Sequence, residues 1–302
     1  MAGKKSSRVI DTFSFDKNRR DSEGSFVNEN GLKIFCRYWS IDVSSPRALV
    51  FICHGAGEHV GPYTQLAEML TKENFFVFGH DHQGHGQSEG SRVHIDDLRH
   101  YCRDIFAHID RIKQDFPTLP VFIIGHSMGG AVTILSGLDR PDYFQGVVLI
   151  GPVVTSDQDQ IGPIKAFFGK IIARLIPQFP VLNLESKYLS RDPKVVEDYE
   201  NDKLNYLGAC KAKWTLCIYH AVLEIESKLS TIEWPFLCMH GECDSLVKCE
   251  GSMALYEKAA SKDKTLTIYP KAYHQLHLEI EPDGSKARQQ IVDWLVNHVP
   301  QK

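Results

Sequence analysis

Short apolar runs alternate along the chain with segments in which apolar and polar residues recur at helical spacing. The runs are bounded by Gly, Pro, Asn or Asp, which predicts buried strands; they are residues 47–53, 75–78, 121–124, 146–152, 234–241 and 265–269. Between them, residues 62–72, 96–115 and 284–298 place apolar side chains on one helical face. Buried strands alternating with helices predict an α/β class fold, with a mostly parallel central sheet flanked by helices.

Two stretches depart from this alternation. Residues 24–39 alternate with period two around residues 28–31, which predicts a hairpin. From about Val154 to Leu229, helical patterns follow one another without a clear buried strand. We therefore predict a core of residues 22–153 and 230–302, and an inserted helical cap or lid at residues 154–229, called the cap segment below. Residues 1–21 are polar and basic, which predicts a flexible tail.

The run at residues 121–124 leads directly into Gly125-x-Ser127-x-Gly129, and a helical pattern starts at Gly130. A strand, a sharp turn with small flanking residues and a helix form the nucleophile elbow of acyl-transfer enzymes. Ser127 would stand exposed at the helix N-terminus, where free N–H groups favour a developing negative charge. The motif alone is weak, because a tight turn with an incidental serine gives the same pattern. Its partners elsewhere in the chain decide between the two interpretations.

Two further residues and a Gly-rich loop complete this chemistry. Asp244 follows the strand at residues 234–241, and His274 follows the strand at residues 265–269. The order Ser127, Asp244, His274 is that of the catalytic triad in the α/β-hydrolase fold, and it differs from the chymotrypsin and subtilisin orders. The Gly-rich loop at residues 54–59 predicts an oxyanion hole formed by the N–H groups of Ala56 and Met128. We predict a serine hydrolase that needs no cofactor.

Histidines 80, 82 and 85 lie near Asp81, which raises the possibility of zinc binding. The loop is broken by glycines and lacks the spacing of a four-ligand or helical histidine site, so we predict no metal. Asp81 and His82 are instead expected to support the neighbouring site through hydrogen bonds. The eight cysteines show no paired spacing, which favours free and largely buried thiols, Cys243 included.

The formal net charge is −4, which gives no reason to expect nucleic acid as a partner. No signal sequence and no run of about 20 apolar residues is present, which predicts a cytoplasmic protein. In the cap segment, a basic amphipathic stretch predicts peripheral binding to a membrane surface; its apolar residues include Ile164, Phe167, Phe168, Ile171 and Leu175. Packing of this stripe against the core is the alternative. The oligomeric state stays open, a dimer included.

Four stretches together resemble the monoacylglycerol lipase family: residues 54–59, 84–90, 125–130 and 272–274. The resemblance implies hydrolysis of monoacylglycerols, including 2-arachidonoylglycerol-like esters, to fatty acid and glycerol. It further implies that Glu58, Tyr199 and His277 surround the glycerol end of the substrate. The chain departs from the family at Pro62, where a glycerol-contacting arginine is expected. A lysophospholipase, a broad carboxylesterase, an acyltransferase or a binding protein without activity are the alternatives, although the complete triad disfavours the last.

Overall fold

The computed structural model describes residues 22–39, 45–155 and 173–300. Within them, the central sheet consists of β1 Ser22–Val27, β2 Lys33–Tyr38, β3 Ala48–Cys53, β4 Phe75–His80, β5 Val121–His126, β6 Gly146–Ile150, β9 Phe236–Gly241 and β10 Lys264–Tyr269. The strands lie in the order β1-β2-β4-β3-β5-β6-β9-β10. The β1/β2 hairpin pairs antiparallel to β4, and the six strands β4, β3, β5, β6, β9 and β10 run parallel.

The α-helices that lie wholly within the described residues are α1 Thr64–Lys72, α2 Arg99–Asp115, α3 Met128–Asp139, α4 Pro193–Asn201, α5 Ala212–Lys228, α6 Glu250–Lys258 and α7 Asp283–His298. Short 3-10 turns occur at Gly61–Tyr63, Ser186–Tyr188, Leu229–Thr231 and Leu276–Leu278. Helices α2, α3 and α5 pack an apolar layer on one face of the sheet, whereas α1 and α7 pack another on the opposite face.

Strand β3 shows why the central strands are almost purely apolar. Leu49 and Phe51 face the first apolar layer, whereas Val50 and Ile52 face the second. All six residues of β3 are buried, because helices cover both faces of the sheet. The parallel arrangement brings the carboxyl ends of β3, β5, β9 and β10 to one edge, and the loops that leave them carry the candidate site.

The predicted α/β fold and its central strands are confirmed, with small shifts at the ends of elements. Residues 62–63 belong to a 3-10 turn rather than to α1, and α2 begins at Arg99 instead of residue 96. The cap segment contains a short antiparallel pair, β7 Pro180–Leu182 and β8 Cys210–Lys211, which its helical patterns did not reveal.

The amphipathic stretch of the cap segment lies mostly outside the described residues. Ile164, Phe167, Phe168 and Ile171 belong to residues 156–172, and the basic tail belongs to residues 1–21. Leu175 is described, and its side chain is 74% exposed. This exposure is contrary to the packing alternative for Leu175.

Candidate active site

Ser127 stands where β5 ends and α3 begins, with φ 55° and ψ −120°. Few residues other than glycine adopt a positive φ, and such strain is typical of functional positions. A Cβ atom on Gly129 would lie 2.2 Å from the carbonyl oxygen of Cys53, and one on Gly125 would lie 2.4 Å from Thr133 Oγ1. Both glycines are therefore required for strand and helix to meet at this turn.

His274 and Asp244 form a close pair beside Ser127. His274 Nδ1 lies 2.6 Å from Asp244 Oδ2, and the backbone N–H groups of Leu246 and Val247 donate to Asp244 Oδ1 at 2.9 Å. Burial acts to raise the pKa of Asp244, but the electrostatic interaction with His274 and these hydrogen bonds outweigh it and hold the pKa below its ordinary value. An ionised Asp244 fixes His274 with Nδ1 as donor, which leaves Nε2 able to take a proton.

A further histidine supports this pair from strand β9. His240 Nε2 lies 3.1 Å from Asp244 Oδ2, the oxygen that also meets His274. Its Nδ1 lies 2.7 Å from Ser252 Oγ, so both ring nitrogens have partners. His240 was not singled out from the sequence. Its position four residues before Asp244, at the end of a strand, was the available signal.

The Gly-rich loop after β3 is held in place by its own histidine. The backbone N–H of His82 donates to His54 Nε2 at 2.9 Å, so the other nitrogen, Nδ1, donates to the carbonyl oxygen of Gly55 at 2.8 Å. Burial lowers the pKa of His54, which keeps the ring neutral. A Cβ on Gly55 would lie 3.1 Å from Ser127 Cβ, so the loop runs directly beside the elbow.

Glu58 is the buried acceptor at the centre of this loop, with 2% of its surface exposed. It accepts hydrogen bonds from Tyr63 Oη at 2.7 Å, His126 Nδ1 at 2.8 Å and Gln275 Nε2 at 3.0 Å, and another from the backbone N–H of Gly55. Burial acts to raise the pKa of Glu58, but interaction with His126 and these donors outweighs it and lowers the pKa. Glu58 is therefore an ionised group that joins the loop to the neighbours of Ser127 and His274.

Ser127 and His274 line one cavity of about 820 Å³. Its polar wall includes Glu58, His126 and Gln275, and its apolar wall comes largely from the cap segment. The main apolar residues are Leu182, Leu184, Leu189, Ile218 and Val222. A cavity that Ser127 lines together with both polar and apolar side chains suits an ester with a small polar alcohol and a fatty acyl chain.

The structure brings most of the predicted site residues to this cavity. Ala56, Met128, Glu58 and Tyr199 line it together with Ser127 and His274, and Asp244 lies behind His274. His277 does not line the cavity: it is fully buried and stacks on Tyr63 with 4.5 Å between ring centroids. Gln275 lines the cavity instead. Sequence reasoning missed Gln275, although its place immediately after the predicted base was a usable signal.

The cap segment is bonded to the loops of the site. The backbone N–H of Gln275 donates to the carbonyl oxygen of Leu189 at 2.7 Å, and that of His274 donates to Tyr188 at 3.4 Å. At the Gly-rich loop, His59 Nε2 lies 2.8 Å from Asp202 Oδ2. The cap segment is therefore bonded to both the Gly-rich loop and the loop of His274.

The loop at residues 80–88 is hydrogen-bonded to the segment after β3, through Asp81 and the backbone of His82. Asp81 accepts hydrogen bonds from the N–H groups of Val60 and Gln87 at 2.9 and 2.8 Å. Across the described residues, no group of three or more His, Cys, Asp or Glu side chains could hold a metal ion.

All eight cysteines are free. The expectation that Cys243 is packed is wrong, because its residue is exposed in the turn after β9. Among the described helices, none is long and apolar enough to cross a membrane.

Comparison with known proteins shows to which family the chain belongs. A family model described as "Serine aminopeptidase, S33" matches residues 44–281. Human monoglyceride lipase is 40% identical over 269 residues, which span 89% of the chain and 88% of the human protein. The chain belongs to the monoglyceride lipase family. A monoacylglycerol lipase of Mycolicibacterium smegmatis is 33% identical over 278 residues, covering 92% of the chain and 98% of that protein.

Solved structures agree with this membership. The crystal structure of a monoacylglycerol lipase from Paleococcus ferrophilus has a TM-score of 0.76 and 30% identity, covering 88% of the chain and 99% of its own. A soluble variant of monoglyceride lipase from Saccharomyces cerevisiae, in complex with a substrate analogue, has a TM-score of 0.80 at 20% identity, covering 91% and 94%. The second likeness concerns the fold alone. The predicted α/β-hydrolase fold and the resemblance to this family are both confirmed.

Proposed function

We propose that the chain is a serine ester hydrolase that cleaves monoacylglycerols to fatty acid and glycerol through an acyl-enzyme on Ser127. The observation that carries the proposal is the cavity shared by Ser127 and His274, with Asp244 bonded to His274 and an apolar wall supplied by the cap segment. In this proposal, residues 22–153 and 230–302 form the catalytic core, and residues 154–229 form its cap.

The chemistry follows from these positions. His274 Nε2 takes the proton of Ser127 as Oγ attacks the ester carbonyl, and Asp244 stabilises the charged imidazole. The N–H groups of Ala56 and Met128 hold the oxyanion; Met128 is the first residue of α3, whose N–H has no partner within the helix. His274 then gives its proton to the departing glycerol. Water repeats the attack on the acyl-enzyme and releases the fatty acid.

We further propose that the enzyme docks on a lipid surface through the described part of its cap segment. Large apolar residues are exposed there in one short stretch, in contrast to their scattered occurrence elsewhere; they are Leu175, Ile176, Phe179, Val181, Leu182 and Leu184. Leu182 and Leu184 also line the cavity, so the exposed stretch is continuous with the acyl-binding wall. Docking by this surface would let a fatty acyl chain pass from lipid to cavity without crossing water.

A substrate panel tests the function. We expect the purified chain to hydrolyse long-chain monoacylglycerols with higher kcat/KM than lysophospholipids or methyl esters of the same acyl chain, and added alcohols to give little acyl transfer. Ser127→Ala should lower kcat roughly a million-fold and abolish labelling by a fluorophosphonate. The matched control is Ser245→Ala, since Ser245 also lines the cavity and should leave labelling in place. Preference for lysophospholipid or for methyl ester would contradict the proposed substrate class.

A further inference from the structure

Gln275 carries a buried polar atom that the proposed mechanism does not use. The residue is 2% exposed, lines the cavity and directly follows His274. Its Nε2 donates to Glu58 Oε2 at 3.0 Å, but its Oε1 has no hydrogen-bond partner within the described part of the chain. Buried carbonyl oxygens are almost always paired, so an unpaired one beside a reactive centre needs a reason.

The orientation of the Gln275 amide is fixed by its neighbours. Glu58 is ionised and only accepts hydrogen bonds, so the amide nitrogen faces Glu58 and the amide oxygen faces the other way. The backbone is also held, because its N–H donates to Leu189 at 2.7 Å and its carbonyl oxygen accepts from Leu278 at 2.8 Å. Gln275 therefore presents a positioned acceptor to a ligand that brings a donor.

The place of this acceptor identifies the part of the substrate that it would meet. The leaving alcohol must lie next to His274, because His274 returns the proton to it. Gln275 is the next residue and belongs to the polar wall, whereas the proposed acyl-binding residues of the cap segment are apolar. An alcohol with further hydroxyl groups supplies O–H donors at this point. A methoxy or a quaternary ammonium group supplies none.

We propose that Gln275 determines head-group specificity: its side-chain oxygen accepts a hydrogen bond from a free glycerol hydroxyl of the bound monoacylglycerol. This inference rests on the proposed function and deepens it. A substrate whose alcohol has no free hydroxyl leaves the buried oxygen unpaired, and it is disfavoured for that reason.

The test compares kcat/KM for a monoacylglycerol with kcat/KM for the methyl ester of the same fatty acid. We expect Gln275→Met, which keeps the volume but removes both polar atoms, to lower the ratio of the two values about ten-fold. Thr215→Val is the matched control, since Thr215 Oγ1 also lacks a described partner and its residue lines the cavity from helix α5. It should keep the wild-type ratio.

Gln275→Glu provides a second variant that separates recognition from folding. A protonated glutamic acid can donate to Glu58 and still present a carbonyl oxygen to the glycerol hydroxyl, so Gln275→Glu should keep a ratio near that of the wild type at low pH, unlike Gln275→Met. Both substrates use the same base, so its titration cancels in the ratio. A ratio unchanged in Gln275→Met, or lowered equally in Thr215→Val, overturns the role of Gln275. A wild-type enzyme that hydrolyses neither ester overturns the proposed function itself.

Discussion

The carboxylate of Glu279 accepts a hydrogen bond of 2.7 Å from the backbone N–H of Tyr273, the residue immediately before His274. Glu279 is 3% exposed. It also accepts from the N–H of Arg191 at 2.8 Å and from Ser190 Oγ at 3.1 Å, both in the cap segment. One buried carboxylate thus holds the loop of the proposed base and fastens it to the cap segment.

Glu279→Gln should therefore impair both stability and turnover. The amide keeps the size of the side chain. In the wild type both carboxylate oxygens accept hydrogen bonds, so in the variant the NH₂ group would face a donor and that hydrogen bond would be lost. We expect a loss of about 3 kcal/mol in the free energy of unfolding and a fall in kcat with little change in KM. The control is Glu281→Gln, because Glu281 is exposed where it pairs with Arg288 and accepts from the N–H of Ser285, and the change should cost under about 1 kcal/mol. Equal effects of the two variants would contradict the role of Glu279.

The two histidines of the same loop should differ in their effects. His274→Ala removes the proposed base and should lower kcat by several orders of magnitude for every ester. His277→Ala leaves a void beside Tyr63 and should lower the free energy of unfolding by about 2 to 3 kcal/mol. Turnover of a p-nitrophenyl ester separates them. The glycerol role implied for His277 by resemblance stays a prediction, and it would be supported by a loss confined to glycerol esters.

Stability should fall steeply below pH 6.5. Burial lowers the pKa of His85 to about 4 and that of His108 and His277 to about 3. These rings are neutral when folded but take protons near pH 6.5 when unfolded, so their contribution is complete above that pH and is lost on acidification. Each of these rings lowers the free energy of unfolding by about 1.4 kcal/mol for every unit by which the pH falls in this range. Asp104, whose pKa burial raises to about 7, opposes the trend by one such amount.

Urea unfolding between pH 6.5 and pH 5 measures this loss. We expect a decrease of at least about 3 kcal/mol per pH unit, since His54, His80 and His82 also have lowered pKa values through burial. His85→Gln removes one titrating ring and should reduce the slope by about 1.4 kcal/mol per pH unit. A variant slope equal to that of the wild type would mean that His85 is protonated in the folded state.

Membrane docking can be tested on the exposed apolar stretch of the cap segment. Replacing Leu175, Phe179 and Val181 together by serine removes about 3 kcal/mol of transfer free energy, so liposome binding should weaken about 100-fold in cosedimentation. Val27→Ser is the control, because Val27 is also an exposed apolar residue, at 40%, but lies on β1. Unchanged binding together with lower thermal stability would indicate packing instead of docking.

Local patterns along the chain predicted the sheet and the elbow well. Strand β3 is buried on both faces, so its apolar run is unmistakable, and the glycines around Ser127 are required by contacts as close as 2.2 Å. Ser127, Asp244 and His274 could then be found because each follows the end of a predicted strand. These features depend on residues close together in sequence or on topology alone.

Contacts between distant residues could not be predicted in the same way. Gln275 and Glu58 are 217 positions apart, and no periodicity shows that the amide of one meets the carboxylate of the other. The β7/β8 pair was hidden for another reason: all three residues of β7 are exposed, so no buried run marks it. Burial of a polar residue is set by its partners, and these become visible only when the loops are assembled.

The hydrogen bonds from His274 and Gln275 to Tyr188 and Leu189 connect the cap segment to the loop of the proposed base. Part of the hydrogen bonding that holds the proposed base in place thus comes from the cap segment and not from the sheet. A chimera that exchanges insertions between relatives would therefore inherit catalytic geometry along with substrate access, and the two properties are not separate modules. An exchange that leaves residues 186–192 unchanged would keep the native support for the proposed base. An exchange that includes them would transfer both properties together.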